Sequence, residues 1–568
     1  MKLNKIIYVV PLAVIMLAVG SGCRKSQFNI NKNINNPTDS SVTYDVVLPA
    51  ALNATGAITA FGGAPGGGGT VTNWGVLQNW MSYWSRSGTY APNVLEETYQ
   101  ITTGFGNGVW NSCYDNNYDL QIIQQKAAVA GAGFYEGIAR IIKAHNYQIL
   151  VDVYGNVPYT EALKGSQNPT PKYDKGVDIY NKLFDEIDAG IDLINAAVVL
   201  DDNANKDIWK NDIMFGNPST GTIADVPAMK IKWNQFGNTL KLRLLIHAYA
   251  VGAINKATRI AKINANGNGY LVADASVNPG YSGNDKPNSF FTQYITGTDG
   301  TASTSNVYYA ANDWGVEYYT WNGDPRRSQS RVYTGGGLKG VPYGTPPIAV
   351  YASGQVAKIG PGVYKSATAR QVVISAAESY FLQAEAKQRS AIFTGFIGNG
   401  GASAASLLTT AINESFNYFG ATGAAGYISG NASYPDVDYF GGPQGIGAPG
   451  GGLFTILTQK WFAMNGVNPL ETWTDWRRVP YSEVATKVLY NNSNASTTNF
   501  VYGDGGGYTG TLTSPGPGPF RSITPGIQPG DQIPVRFLYP QSEYNYNTAN
   551  VSGEGTITRT SRVFWDLN

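Results

Sequence analysis

The chain has 568 residues, of which 14% are charged, against a usual figure of about 25% in soluble domains. Its 40 basic and 39 acidic side chains leave a net charge of +1, so nothing draws it to a phosphate backbone and nucleic-acid binding is excluded. Two cysteines, Cys23 and Cys113, exclude a disulfide framework, and two histidines, His145 and His247, exclude a His-rich metal site; both histidines fall in apolar helical patterns, which argues against a histidine-based triad.

Taken in order, Lys2 and Lys5 precede an apolar run over 6–19 that Pro11 interrupts, and Gly20, Ser21 and Gly22 lead to Cys23. The run is short for a bilayer span and has the flanks of a secretory signal, so residues 1–22 are expected to be removed. That takes away Lys2 and Lys5 and no acids, leaving 38 basic against 39 acidic residues, a net of −1. A cysteine directly after the small residues resembles a bacterial lipobox, with Gly20 standing where that motif has leucine, and lipidation of Cys23 is expected. Multiple acyl chains, at about 0.8 kcal/mol per buried CH₂, give durable anchoring. The polar, Asn-rich stretch that follows has no periodicity and reads as a tether, so the lipidated cysteine and tether cover 23–45 and the folded body 46–568.

Helical spacing predicts helices over 46–60, 74–87 and 109–130, separated by a glycine cluster at 62–69. Trp74, Leu77, Trp80, Met81 and Trp84 form a stripe of the kind that is more often core than ligand platform. The chain is organised around 131–163: Phe134, Ile138, Ile141, Ile142, His145, Ile149 and Val153 fall on or near one helical face, Gly155 and Asn156 supply a left-handed end, and Pro158 prevents resumption. Such an amphipathic helix needs partners, and 178–194 and 233–251 repeat its pattern. Arg243 and His247, one turn apart, read as a polar contact between helices.

Over 273–369 helical periodicity disappears, Gly, Pro, Asn, Ser and Tyr dominate, and short strands are predicted near 307–309 and 371–374. Helices resume at Ser375 and continue over 404–418 and 453–464, and 503–530 is Gly/Pro-rich loop. The fold class is therefore mainly α: helical hairpins over 46–270 and 375–480, packed with a loop-rich second lobe with short strands over 271–374 and 481–568.

Several segments carry a family resemblance. Tyr154 to Ala162 reads Tyr-Gly-x-Val-Pro-Tyr-x-Glu-Ala; 232–243 reads KWNQFGNTLKLR; Asp324-Pro325-Arg326 follows a turn; 378–386 reads ESYFLQAEA; Gln459-Lys460-Trp461 is followed by ETWTDWRR over 471–478; and 533–543 reads IPVRFLYPQSE, with Asn547 beyond it. Near the start, Phe28 to Asn31 and Asn35 to Thr38 complete the set. Together they resemble the SusD/RagB outer-membrane lipoproteins of Bacteroidetes, SusD-like branch, over nearly the whole mature chain. The resemblance implies tetratricopeptide-like helix pairs carrying a loop-rich lobe. It also implies a lipoprotein on the outer face of the outer membrane that acts as a hinged lid on a SusC-like TonB-dependent transporter. The pair would capture an oligosaccharide, or in some relatives a peptide, for import, with no catalysis and no cofactor. The motifs themselves read as structural, with Arg477, Arg478 and Arg536 expected to pair with acids or helix C-termini.

Ligand contact is expected from exposed aromatics, since sugar faces carry C–H groups that pack on rings while planar polar side chains read the hydroxyls. The 37 tyrosines, against 21 phenylalanines, suit such a surface. The densest aromatic cluster of the second lobe gives Trp314, Tyr318, Tyr319 and Trp321 as candidates, with Tyr83, Trp84 and Tyr308 as weaker ones; burial in the lobe is the competing explanation. Two other function classes stand beside the binding lipoprotein. One is a glycosidase with a carboxylate pair such as Asp313 and Glu317, for which no spacing speaks. The other is a lid that only closes a transporter. No Gly-x-Ser-x-Gly elbow or His-Glu-x-x-His helix is present, and no metal site is expected.

Overall fold

A computed structural model describes residues 42–63, 73–321, 323–327, 331–332, 338–432, 434, 436–440, 451–479, 522–524 and 532–567. Cys23, the signal, most of the tether and nearly all of 503–530 lie outside the described residues. The longer helices are α1 (Tyr44–Phe61), α2 (Asn73–Trp80), α3 (Asn107–Ala130), α4 (Gly133–Tyr154), α5 (Gly176–Ala196), α6 (Val226–His247) and α7 (Lys256–Asn266). After the loop-rich lobe, which contributes α8 (Asp313–Trp321), come α9 (Ala376–Gln388), α10 (Ala404–Phe419), α11 (Gly451–Met464) and α12 (Pro469–Arg478). Consecutive helices pack as hairpins: α3 on α4, α4 on α5, and α9 on α10, with α6 against α5 and α9. This is the mainly helical class that the periodicity predicts.

Among the described residues the strands form four antiparallel two-stranded ribbons. β1 (Trp84–Arg86) pairs with β5 (Tyr309–Ala311), β2 (Val157–Pro158) with β3 (Tyr173–Asp174), β4 (Ala275–Val277) with β8 (Gln371–Ile374), and β6 (Arg331–Val332) with β7 (Lys358–Ile359). Two expectations are corrected here. The helix predicted over 74–87 stops at Trp80, because Ser82 turns the chain at φ +62° and Trp84 enters β1. The lobe over 273–369 also contains helices, α8 among them, where short aromatic runs find a buried face without a long repeat.

Helix α4 is the axis of the first half. Its sequence suggests one apolar face, yet from Phe134 to Tyr154 every residue but Arg140 is buried. The reason is that α3 and α5 flank it while α6 and the C-terminal segment cover what remains. Close approach to α5 is made by glycine on both sides. A Cβ on Gly137 would sit 2.5 Å from the Gly190 carbonyl oxygen, and one on Gly190 2.7 Å from that of Gly137. The helix ends at Gly155, whose φ of +82° only glycine adopts without strain. Its last carbonyls are taken by guanidinium groups: Arg477 Nη1 donates to Asp152 O at 2.6 Å, and Arg536 Nη2 donates to Tyr154 O. Both arginines therefore hold a helix C-terminus, as their motifs imply.

Where α4, α6, α9, α11 and α12 meet, the interior is ionic. Five basic side chains (Arg243, His247, Arg389, Lys460 and Arg478) face five acidic ones (Asp152, Glu378, Glu385, Glu471 and Asp475), all buried. Arg243 pairs with Glu378 at 2.5 Å, Arg478 grips Glu385 with two bonds of 2.6 Å, and Lys460 reaches Asp475 at 3.0 Å. His247 lies 3.1 Å from Asp152 through Nδ1 and 3.0 Å from Glu471 through Nε2. Burial alone would push this imidazole down, but the carboxylates of Glu471 and Asp152 outweigh it and raise its pKa from 6.5 to about 9. A folded-state pKa above the unfolded one gives stability that is complete below about pH 6.5 and is lost as pH rises through about 9. The melting-temperature gap between wild type and His247→Gln is therefore expected to be widest near pH 6 and to shrink steadily toward about pH 9.5, as thermal unfolding across that range will report.

Candidate functional site

Six of the seven aromatic candidates turn out to be buried, and for these the expectation of exposed rings is corrected. Tyr83 and Tyr319 are wholly buried, and Tyr318, Trp84, Trp314 and Tyr308 expose no more than 6%. Tyr83 stacks on Trp461 at 4.8 Å and donates its hydroxyl to the Trp461 carbonyl at 2.6 Å. Tyr318 and Tyr319 lie 4.6 and 4.7 Å from Phe462, and the Tyr319 hydroxyl donates to the Phe462 carbonyl at 3.0 Å. Trp84 meets Tyr309 edge-on at 5.1 Å, and Tyr308 meets Tyr90 likewise. Tyr83, Tyr318 and Tyr319 form the seam against α11, while Trp84 and Tyr308 pack on rings outside that helix; a lobe with short, sparse helices must bury such surface somewhere. Trp321 belongs to α8, but its side chain lies outside the described residues, as does that of Glu317, the second half of the carboxylate pair considered above. The Asp324-Pro325-Arg326 turn is also structural: Arg326 pairs with Asp324 at 2.6 Å and donates to Gln459 and Ser415.

Neither histidine is available for chemistry. His247 belongs to the ionic interior, and His145 is buried beside Phe236, where burial and the nearby Arg243 push its pKa down to about 3.

Two cavities offer room for a ligand. One, of about 370 Å³ between α1 and α3, is bordered by Asn53, Phe61, Asp115, Asn116, Asp119 and Gln371. Its rings are Phe61, 2% exposed, and the half-buried Tyr281. The other, of about 630 Å³, falls within the range of about 300–1,000 Å³ typical of small-molecule sites. It is built by two helix faces and a loop. From α3 come Tyr118, Gln121, Ile122, Gln125 and Lys126, spaced one turn apart on one side; from α4 come Lys143 and Tyr147, again one turn apart. The loop following β2 closes it with Tyr159, Thr160, Leu163 and Gln167, and Glu186 of α5 forms its floor.

The loop wall is fixed in place. Asp174 of β3 accepts from the backbone N–H groups of Tyr159 and Thr160, both at 2.9 Å, and from the Thr160 hydroxyl at 2.9 Å. Tyr159 lies edge-on to Tyr147 at 4.6 Å, and Leu163 takes a left-handed φ of +62° to turn the chain over the cavity. Tyr118 is 47% exposed at the opposite side. The cavity thus combines one open phenol ring, a second half-buried one, three glutamine amides and a threonine hydroxyl. Such a lining can pack on a pyranose face and bond its hydroxyls. Glu186, its one carboxylate, is bound by Arg140 at 2.8 Å, so the cavity does not hold the pair of free carboxyl groups that glycoside hydrolysis needs.

Sequence reasoning passed over these residues because the family-like stretch 154–162 reads as a corner, and it is indeed also the cavity wall. The signal was there in Lys143 and Tyr147, polar-tipped residues one turn apart on α4. Because Trp314 is buried, Trp314→Ala is expected to destabilise the fold by about 3–5 kcal/mol and lower the melting temperature clearly; an unchanged melting temperature in scanning calorimetry would place the ring outside the core.

Comparison with known proteins agrees with this architecture. Residues 70–502 match a family model, SusD-like, described as starch-binding and associating with the outer membrane. No curated protein sequence matches the chain. Among solved structures, a SusD homologue from Bacteroides uniformis is 20% identical with a TM-score of 0.65, covering 92% of this chain and 99% of its own. A chitin-binding SusD homologue from Flavobacterium johnsoniae is 19% identical with a TM-score of 0.62, and a SusD/RagB family protein from Bacteroides thetaiotaomicron is 17% identical with a TM-score of 0.61; each covers 92% of this chain and 99% of its own. At these identities the structures establish the fold, and the family model, which spans most of the chain, establishes membership. The chain belongs to the SusD/RagB family.

Proposed function

We propose that this protein is a cell-surface lipoprotein that binds a nutrient oligosaccharide and delivers it to a SusC-like TonB-dependent transporter, without breaking bonds in it. The family description supports a nutrient-binding role at the outer membrane, and a chitin-binding relative supports a saccharide as the nutrient. The observation that carries the reading is the cavity between α3, α4 and the loop after β2, with phenol rings and amides where a sugar needs them. Peptide ligands, taken by some relatives, are the alternative for the same lid role. Among the described residues no helix is long and apolar enough to cross a membrane, and a lipid on Cys23 is the proposed attachment. An anchored scaffold with a rigid, preformed cavity suits capture and hand-over, since little ordering is needed when the ligand arrives.

Two measurements test this. Titration calorimetry of the mature chain lacking its lipid against neutral and acidic oligosaccharides is expected to show saturable binding without turnover. In it, Tyr118→Ala should weaken binding by about tenfold, the loss of one stacked ring, with no change in melting temperature because that ring is exposed. Release of reducing ends would instead indicate a hydrolase. Separately, Cys23→Ser is expected to move the protein from the membrane fraction to the soluble one; continued membrane association would contradict the anchor.

A further inference from the structure

The cavity assigned above contains a buried ammonium whose contacts among the described residues are neutral amides, with no carboxylate touching it. Lys143 is 8% exposed, and a buried ammonium normally faces a carboxylate. Here its Nζ donates to the side-chain oxygens of Gln121, at 2.8 Å, and Gln124, both neutral amides. An ammonium has three N–H groups, and no acceptor for the third is found among the described residues. One turn further along α4, on the same side, the Tyr147 hydroxyl is buried without any hydrogen-bond partner among the described residues. Both residues line the cavity.

The carboxylates nearest them bond elsewhere. Glu186 on α5 and Glu136 on α4 both bond to Arg140, at 2.8 and 2.9 Å; the two acids balance Arg140 and Lys143 in net charge, yet neither is in contact with the ammonium. Lys126 on α3 and Lys164 on the loop border the same space and leave the cavity positive. Asp174 lies behind the loop, bonded to Tyr159 and Thr160. Two convergent donors, one of them cationic, with no carboxylate in contact with them among the described residues, form half of a charge-assisted pair.

We propose that the Lys143 ammonium and the Tyr147 hydroxyl hold the acidic group of an anionic saccharide, a uronate carboxylate or a sulfate ester, so that the nutrient is an acidic glycan. This rests on the reading that the cavity is the glycan site, and adds the class of glycan. Burial raises the Tyr147 phenol well above its ordinary range, which keeps it a donor, and pulls Lys143 down to about 8, so the ammonium persists at neutral pH and gains from an anion beside it.

The test is calorimetry on the mature protein with three tetrasaccharides: an oligogalacturonate, a sulfated galactan fragment and a neutral malto-oligosaccharide. At least one acidic probe is expected to bind about tenfold or more tightly than the neutral one, and which acidic probe wins identifies carboxylate or sulfate as the partner. Lys143→Met is expected to collapse that preference to about twofold or less, and Tyr147→Phe, which removes one oxygen and keeps the ring in place, to reduce it by about threefold to tenfold. Lys164→Glu, on an exposed position that cannot disturb folding, is expected to lower acidic binding as well. Preferential binding of the neutral probe by wild type would overturn the acidic class while leaving the glycan site intact. Acidic binding that Lys143→Met and Tyr147→Phe leave untouched would overturn the assignment to these two groups. Failure of all three probes to bind would overturn the glycan reading and this inference together.

Discussion

The ionic interior is the constraint on which the rest of the molecule depends. Removing one member of a buried, hydrogen-bonded pair costs about 3–5 kcal/mol, because the partner is left charged and dry. Ten such groups on five helices therefore admit only arrangements that satisfy all of them together. Asp152 shows how far this reaches: it accepts from Gln148 and Trp565 at 2.9 Å each and from Tyr180, while lying 3.1 Å from His247, so one carboxylate joins α4, α5, α6 and the C-terminal segment. Apolar packing alone would let these helices slide along one another. The ion pairs set their register, and so set where the α3 and α4 faces stand relative to the loop after β2.

That network also gives the family-like motifs a physical meaning. Arg243 comes from the KWNQFGNTLKLR segment, Glu378 and Glu385 from ESYFLQAEA, Lys460 from the Gln-Lys-Trp triplet, and Glu471, Asp475 and Arg478 from ETWTDWRR. Residues 228 positions apart in the chain meet in one cluster, since Arg243 lies 3.5 Å from Glu471. The motifs are thus a set of mutually dependent charges, and the proposed ligand cavity lies apart from them, on the surface they support.

The helical half of the fold was legible because long amphipathic runs announce themselves by spacing, as in 178–194 and 404–418, and Gln371 to Ile374 was legible as a strand because β-branched residues fill it. Helix α8 was not, since a nine-residue run rich in tryptophan and tyrosine has no periodicity to distinguish a core seam from an open platform. The same ambiguity made buried rings read as exposed candidates. A ring's chemistry is visible in sequence, but whether it faces water depends on which distant surface covers it, here Trp461 and Phe462 of α11 for Tyr83, Tyr318 and Tyr319. Lys143 poses the converse problem. In sequence it is an ordinary surface lysine on a helix; only the packing of α3 over it shows that its charge is buried and faces amides.

The account comes down to where the ligand sits: on a preformed cavity held by a charge-locked scaffold, and not on the aromatic seam. A crystal structure of the mature protein soaked with the acidic oligosaccharide it binds decides this directly. The account predicts density for a sugar ring against Tyr118 and Tyr159, with its acidic group within hydrogen-bond distance of Lys143 and Tyr147. Clear density for the ligand at any other surface, with this cavity empty, would contradict it.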